Sequence, residues 1–466
     1  MSGIATIREG AVVHLIGISG IGMSALARIL LQRGHRVSGS SDRQTALTEM
    51  LVHEGARVEI GHAAGNLGDA NVVVVSSAIG AGNPELIEAQ QRGLAVIKRG
   101  ALLAELVNER RGIAIAGTHG KTTTTAMLAT VLEAGGLAPS YAIGGERIDT
   151  QTNACHSDGP WFVAESDESD GSFMAMRPQI AVLTNIENDH VSGDDELAAL
   201  IGSFDAFLAA LPVDGLALIG IDEPAAASLV GHARSARTLT YGLSGGDLVA
   251  RELHEAQFGS TFAVELNGQR LGAVRLSVPG AINVFDALPS VLVGMELGLS
   301  FATVTQALGE FRGVRRRFEI LARAPRMIVV DDYAHHPTAV AATIAAARKT
   351  FAGPIVVAFQ PHRYTRTHYL GAGFAQALSG ADYVVLTDVY AASEVPIPGV
   401  DAKTIGEPLR AGGADVAYVD VAALPTYLAE HAPYGSLVLM LGAGSITGAA
   451  ATLAQHVRDG AQAAVS

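Results

Sequence analysis

Cysteine is nearly absent from this chain. Its 466 residues include one, Cys155, so no intrachain disulfide can form and no Cys/His zinc spacing exists. That scarcity points to the cytoplasm. Positive charge is also short. The 32 Lys and Arg against 46 Asp and Glu leave a formal charge of −14. A broad nucleic-acid surface needs clustered cations to neutralise phosphates, so no nucleic-acid partner is expected, although local basic spots can still hold small phosphates. Long apolar runs are missing as well. Stretches such as Ile355–Phe359 fall far short of the ~20 residues of a membrane helix and read as buried strands. Residues 1–10 lack a charged region followed by a long apolar run, so neither a signal peptide nor membrane insertion is expected. Low-complexity linkers and short-period repeats are absent too.

What is present suits a well-cored α/β protein. Hydrophobic residues make up 49%, charged residues 17%, and glycine contributes 53 positions. The length suggests three domains at roughly 100–200 residues each. Apolar strand patterns at 12–16, 35–39, 71–76 and 96–98 alternate with helical patterns at 23–33 and 84–92. Such alternation predicts a mostly parallel sheet covered by helices. A second unit opens with a strand at 112–116 and a helix at 122–134, then strands at 161–164, 180–183 and 216–219. Short alternating runs over 238–278 predict antiparallel strands, before helices at 283–297 and 301–308. A third unit shows strands at 327–331, 354–358, 383–388 and 437–441, with helices at 336–349 and 374–378. The expected fold is therefore α/β in three domains, 1–108, 109–320 and 321–466. The outer two are Rossmann-like and the central one is a phosphate-loop domain with a mixed sheet.

The clearest chemical motif is Gly117-Thr118-His119-Gly120-Lys121-Thr122, followed by Thr123. A strand, a glycine turn, Gly-Lys-Thr and a helix form the physical recipe for holding a nucleotide triphosphate. Backbone N–H groups and the helix N-terminus face the phosphates, Lys121 reaches the terminal ones, and the Thr122 hydroxyl suits Mg2+. The usual six-residue spacing would put Gly at 115, where Ile115 stands, so this loop is a shorter form. Two further strands end in acidic clusters, one holding Glu165, Glu168 and Asp170, the other Asp189 and His190. Strand ends are where α/β sheets build sites, and Mg2+ wants one or two carboxylates beside phosphate.

Near the start, Gly17, Ser19, Gly20 and Gly22 sit in a turn between a strand and a helix, with Asp42 some 20 residues on. This is an imperfect dinucleotide fingerprint, and it keeps open an NAD-dependent oxidoreductase. Arg315-Arg316-Arg317 suits a phosphate clamp in an acidic chain. In the third unit, Arg363 and Arg366 stand three apart, a spacing from which two cations can face one carboxylate.

Eight ordered stretches, at 14–24, 76–86, 117–125, 162–173, 184–190, 313–319, 331–337 and 360–366, together resemble the Mur ligases, which add amino acids to the bacterial cell-wall precursor. The resemblance runs from His14 to about Gly444. It is strongest to the member acting on L-alanine and UDP-N-acetylmuramate, with a sister ligase that attaches a preformed peptide as the near alternative. It implies ATP-driven amide formation, with ATP and Mg2+ as cofactors and a monomer or weak homodimer. Lys121, Glu165 and His190 would be catalytic, the metal being held by Thr122, Glu165 and His190. ATP would be held by residues 117–123 with Asn283, Asp286, Arg317 and Asp332. Gly17, Ser19, Gly20, Gly22, Asp42, Ser76 and Ser77 would hold the UDP-sugar. Tyr333, His335, His362, Arg363 and Arg366 would surround L-alanine. The chain departs from the family pattern at Ser19, Ser192, Ile282 and Asp286.

Overall fold

The computed structural model describes residues 7, 10–166, 171–187, 194–233, 237–256, 258–392 and 394–463. Three sheets follow one another along the chain. The first comprises β1 (Val12–Ile16), β2 (Arg36–Ser41), β3 (Arg57–Ile60), β4 (Val72–Val75) and β5 (Ala95–Lys98), in the order β3-β2-β1-β4-β5. Every pairing in it is parallel. Strands such as Val12–Ile16 are wholly buried, because helices α1 (Ile21–Gln32), α2 (Ala46–His53), α3 (Pro84–Gln91) and α4 (Arg99–Asn108) accompany them. Strand order reverses between β1 and β4, which opens a crevice at their C-terminal ends. Gly17 and Ser76 follow directly there.

The central sheet is mixed. It contains β6 (Arg111–Ala116), β7 (Ser140–Ala142), β8 (Ala154–Cys155), β9 (Trp161–Glu165), β10 (Ile180–Leu183), β11 (Leu216–Gly220), β12 (Arg237–Gly242), β13 (Leu248–Ala256), β14 (Gly259–Leu266) and β15 (Gln269–Leu276). The order is β15-β14-β13-β12-β11-β10-β6-β9-β7-β8. Around it lie α5 (Lys121–Ala134), α6 (Asp194–Ala209), α7 (Pro224–Ala227), α8 (Ala281–Glu296) and α9 (Phe301–Glu310). The expected antiparallel region proves half right. β13, β14 and β15 are antiparallel, but β12 joins β13 in parallel through Tyr241 and Gly242. The short 243–247 connection folds back on β12, where the Asp247 carboxylate accepts the Thr240 amide at 2.7 Å. Alternation alone does not encode strand direction.

Register aligns the site. β6 lies between β9 and β10, with Ile115 opposite Glu165 and Ala116 opposite Leu183. The loops leaving these three strands therefore emerge side by side. A core of Ile113, Ile115, Met127, Leu128, Val131, Val284, Leu288 and Val291 clamps α5 and α8 onto the sheet, burying several side chains worth roughly 1.5–3 kcal/mol each.

The third sheet has β16 (Glu319–Arg323), β17 (Met327–Asp332), β18 (Ile355–Phe359), β19 (Tyr383–Leu386), β20 (Val416–Tyr418) and β21 (Ser436–Leu441), ordered β16-β17-β21-β18-β19-β20. It is parallel apart from β16. Helices α10 (Pro337–Thr350), α11 (Tyr364–Leu378), α12 (Lys403–Ala411), α13 (Leu424–His431) and α14 (Ile446–Ala463) accompany it. The expected helix at 374–378 is only the end of α11, whose first turns carry Thr, Arg, His and Tyr and so hide their periodicity. Asp332, Leu441 and Phe359 lie in register, so the loops after β17, β21 and β18 share one edge.

Candidate active site

The phosphate loop joins β6 to α5. Gly117 has φ +126° and Gly120 has φ +82°, conformations that side chains rarely adopt. A Cβ on Gly117 would run into the Thr184 hydroxyl, and one on Gly120 into the Asp286 carboxyl. The loop is stitched to the segment after β10. The Thr118 amide donates to the Asn185 carbonyl at 3.0 Å, and the His119 amide to Asn185 Oδ1 at 2.8 Å. Thr184 Oγ1 donates to the His119 carbonyl at 2.7 Å. Sequence reasoning placed Thr184 and Asn185 near the site without this role. Their signal was a polar pair directly after a fully apolar strand.

Lys121 Nζ donates to the carbonyls of Gly117 and Thr118, so the ammonium rests on its own loop. Thr122 Oγ1 donates to Glu165 Oε2 at 2.9 Å, and Arg317 reaches Thr122 Oγ1 from the far side at 3.5 Å. These two oxygens beside Lys121 are a donor pair of the kind Mg2+ takes. His190, Glu168, Asp170 and Ser192 lie outside the described residues.

One cavity of about 410 Å³ runs from Thr118–Thr123 past Asn283, Asp286, Arg317 and Asp332 to Tyr333, His335, His362, Arg363 and Arg366. The residues expected to hold ATP and those expected to hold the amino acid thus line one continuous space. Asp286 is buried, and burial raises its carboxyl well above the usual range against the opposing pull of Arg317. Its Oδ1 has no hydrogen-bond partner among the described residues. Asn283 donates instead to the Pro279 carbonyl at 2.6 Å. Asp332 is raised by burial too, while its oxygens accept the amides of Phe318 and Ala334, each at 2.7 Å. It fixes the chain between the central and third units.

At the other end, Arg363 has φ +70° at the cap of α11, a strained position of the sort found at working sites. Arg366, in the first turn, contacts His362 Nδ1 at 3.3 Å. Burial, then Arg366 and Arg363, lower His362 to about 4, so its imidazole is neutral at pH 7. His362 stacks on Tyr390 at 5.6 Å and meets His335 edge-on at 5.6 Å.

Two further cavities meet the first. One, of about 530 Å³, is lined by Ser19, Arg43, Gly144, Gly145, Arg315, Arg317 and Tyr333 among others. The other, of about 240 Å³, links Gly22 and Arg99 to Lys121, Thr122, Glu165 and Tyr333. Tyr333 lines all three and carries Arg316 and Arg317 on its ring at 4.8 and 5.2 Å. Gly17 and Gly20 form the turn behind Ser19, which accepts a hydrogen bond from Ser41 Oγ at 2.7 Å. Ser76 and Ser77 follow β4 at the crevice, and Ser77 is exposed. Asp42 stands apart from these cavities. β2 continues to Ser41, which carries Asp42 past the strand end to 88% exposure, where it pairs with His62 at 3.1 Å. Arg43 and Arg99 were not anticipated. Each is a cation just beyond a strand, a signal too common to single out.

The phosphate loop, its carboxylate partner and the flanking parallel sheets define a multi-unit α/β enzyme built on a nucleotide-type phosphate loop. The chain belongs to the Mur ligase family. Residues 12–111 match the model described as "Mur ligase family, catalytic domain", 115–294 the Mur ligase middle domain, and 316–444 the "Mur ligase, glutamate ligase domain". Among its relatives is the UDP-N-acetylmuramate–L-alanine ligase of Syntrophotalea carbinolica. It is 43% identical over 450 residues, spanning 96% of this chain and 98% of the relative. The ligase of the same name from Acidithiobacillus ferrooxidans is 44% identical, spanning 94% and 96%. Among solved structures, UDP-N-acetylmuramate-alanine ligase MurC of Thermotoga maritima superposes with TM-score 0.84 at 30% identity, covering 96% of this chain and 99% of that one. A murein peptide ligase of Psychrobacter arcticus gives 0.73 at 25%, covering 96% and 99%. Among the described residues no helix is long and apolar enough to cross a membrane.

Proposed function

We propose that this enzyme joins L-alanine to the lactyl carboxylate of UDP-N-acetylmuramate, driven by cleavage of ATP to ADP and phosphate, in peptidoglycan precursor synthesis. The observation that carries the reading is the meeting of three cavities at Tyr333, the first of which shares Arg317 with the second and Lys121 and Thr122 with the third. Three ligands can reach one point there. The names of the relatives supply the substrates. In this reading, units 1–108, 109–320 and 321–466 take the UDP-sugar, ATP and L-alanine respectively, and the enzyme is a cytoplasmic monomer or weak homodimer.

The turn at 17–22 and the N-terminus of α1 hold the diphosphate of the sugar nucleotide, and Arg99 and Tyr333 guide its lactyl carboxylate toward Lys121. Residues 117–122 cradle the ATP phosphates. Lys121 leaves its loop carbonyls to meet the γ-phosphate, and Arg317 closes on it from the third-unit side. Thr122 and Glu165, joined by His190 on the family resemblance, fit Mg2+, which when bound offsets phosphate charge. The lactyl carboxylate attacks the γ-phosphorus, giving an acyl phosphate and ADP. Arg363 and Arg366 grip the carboxylate of L-alanine and so aim its amine at the acyl carbon, where phosphate leaves. His362, being neutral, adds no repulsion toward the amine.

The decisive assay supplies UDP-N-acetylmuramate and ATP with each amino acid, or a preformed peptide, and follows phosphate release. L-Alanine should support turnover, and a response to the peptide alone would select the sister activity. In Lys121→Ala, turnover should vanish while UDP-sugar binding stays near normal. Retained ligation in that variant would sink the role given to the loop.

A further inference from the structure

Beside the phosphate loop, three segments bring together a second set of polar side chains to which the reaction above assigns no chemical step. His119 comes from the loop, Glu187 from the segment after β10, and His336 from the residue that caps α10 in the third unit. His119 Nε2 lies 3.3 Å from Glu187 Oε2, and His336 Nδ1 lies 3.9 Å from the same oxygen. One ligand atom from each residue falls within 4.8 Å of the other two. The two imidazoles are tilted at 36°, with centroids 5.5 Å apart. His336 is buried at 7% exposure.

Each residue is held in place. The Thr118 side chain accepts the Glu187 amide at 2.9 Å. The His119 backbone is fixed by the hydrogen bond that its amide donates to Asn185 Oδ1. Pro337 at the first position of α10 sets the entry angle of His336. The hydrogen bond from His119 holds the Glu187 carboxyl below the usual range although burial opposes it.

We propose that His119, Glu187 and His336 bind one divalent transition-metal ion of the Zn2+ or Co2+ class, clipping the phosphate loop to the third unit. Two imidazoles and a carboxylate suit such borderline ions, whereas Mg2+ favours oxygen donors and phosphate. Bonds of about 2.0–2.2 Å in a tetrahedral site place ligand atoms roughly 3.3 Å apart. The His119–Glu187 pair already has that spacing, and Glu187–His336 needs a closure of roughly 0.6 Å. Three protein ligands leave a fourth position for water or a phosphate oxygen. The site is separate from the Thr122–Glu165 pair and does not depend on which substrates the enzyme takes.

The test uses the full-length, nucleotide-free protein in excess Mg2+, with Co2+ as the probe. One equivalent should bind and give the visible absorption of a low-coordinate cobalt site. His336→Gln and Glu187→Gln should each weaken binding by at least the roughly 10- to 100-fold that loss of even an outer-shell partner costs, while Glu165→Gln should leave it within about twofold. Thermal unfolding of each variant in EDTA provides the folding control. Glu187→Gln keeps the shape of the side chain, so it decides the question should His336→Gln fail to fold. Absence of the cobalt band in the wild type, binding indifferent to Glu187→Gln, or loss of binding in Glu165→Gln would overturn the assignment.

Discussion

Gly120→Ala isolates the feature on which the nucleotide reading turns. Gly120 has φ +82°, and an alanine held there carries a left-handed strain of about 1–2 kcal/mol. Its new methyl group also runs into the Asp286 carboxyl, with Cγ at 3.0 Å and Oδ2 at 3.2 Å. Asp286 sits buried on α8 with little room to retreat, so overpacking adds about 1–3 kcal/mol. The sum, about 2–5 kcal/mol, is the cost of keeping the loop in its binding shape. If the loop relaxes instead, apparent affinity falls with the competent fraction, by roughly thirtyfold to several thousandfold. Calorimetric titration with a non-hydrolysable ATP analogue reads this directly, and UDP-sugar binding should stay within about threefold. Adding Asp286→Ala removes the obstacle but not the strain. Relative to Asp286→Ala alone, the double variant should therefore retain a loss of only about 1–2 kcal/mol. Wild-type-like nucleotide affinity in Gly120→Ala, or a double variant no better than the single one, would refute the argument.

Other perturbations test neighbouring parts. In the first unit, burial works to raise the Glu85 carboxyl, but hydrogen bonds from His14, Ser40 and Asn66 prevail and lower it from 4.5 to about 2. A depressed folded-state pKa gives stability that is present above about pH 4.5 and lost as pH falls toward 2. Glu85→Gln should therefore cost about 3 kcal/mol at neutral pH, with the gap to wild type narrowing near pH 3 in denaturant titrations. Asp286 has the opposite sign. Its carboxyl is raised by burial, which gives stability at low pH that fades as pH rises through the folded value, so Asp286→Asn should gain on the wild type as pH climbs above the ordinary carboxylate range in thermal unfolding. Arg366→Lys replaces a planar fork with a point charge. It should raise KM for the amino acid by roughly tenfold with a smaller effect on kcat, measured by phosphate release.

Local patterns made much of the framework legible. Apolar runs such as Val12–Ile16, Ile180–Leu183 and Ile355–Phe359 announced buried parallel strands, because a strand covered on both faces needs no polar alternation. Elements whose apolar positions are shared among several neighbours escaped notice. α14, β20 and the first turns of α11 are cases, since their burial pattern exists only once the sheet is assembled.

By itself the sequence determined the phosphate loop, because Gly117, Gly120, Lys121 and Thr122 act through local geometry and one helix start. It also marked Glu165, Arg317, Tyr333, His362, Arg363 and Arg366 as side chains worth watching. Only the tertiary structure decided what stands next to what. Strand order placed β9 and β10 on either side of β6, which brought Glu165 and Asn185 to the loop. The packing of the third unit on the second put Tyr333 where three cavities meet and brought His336 to His119 and Glu187, residues separated by 217 positions and 149 positions of chain respectively. No local pattern encodes such a meeting, because it depends on long-range strand pairing and on the fit of one unit against another.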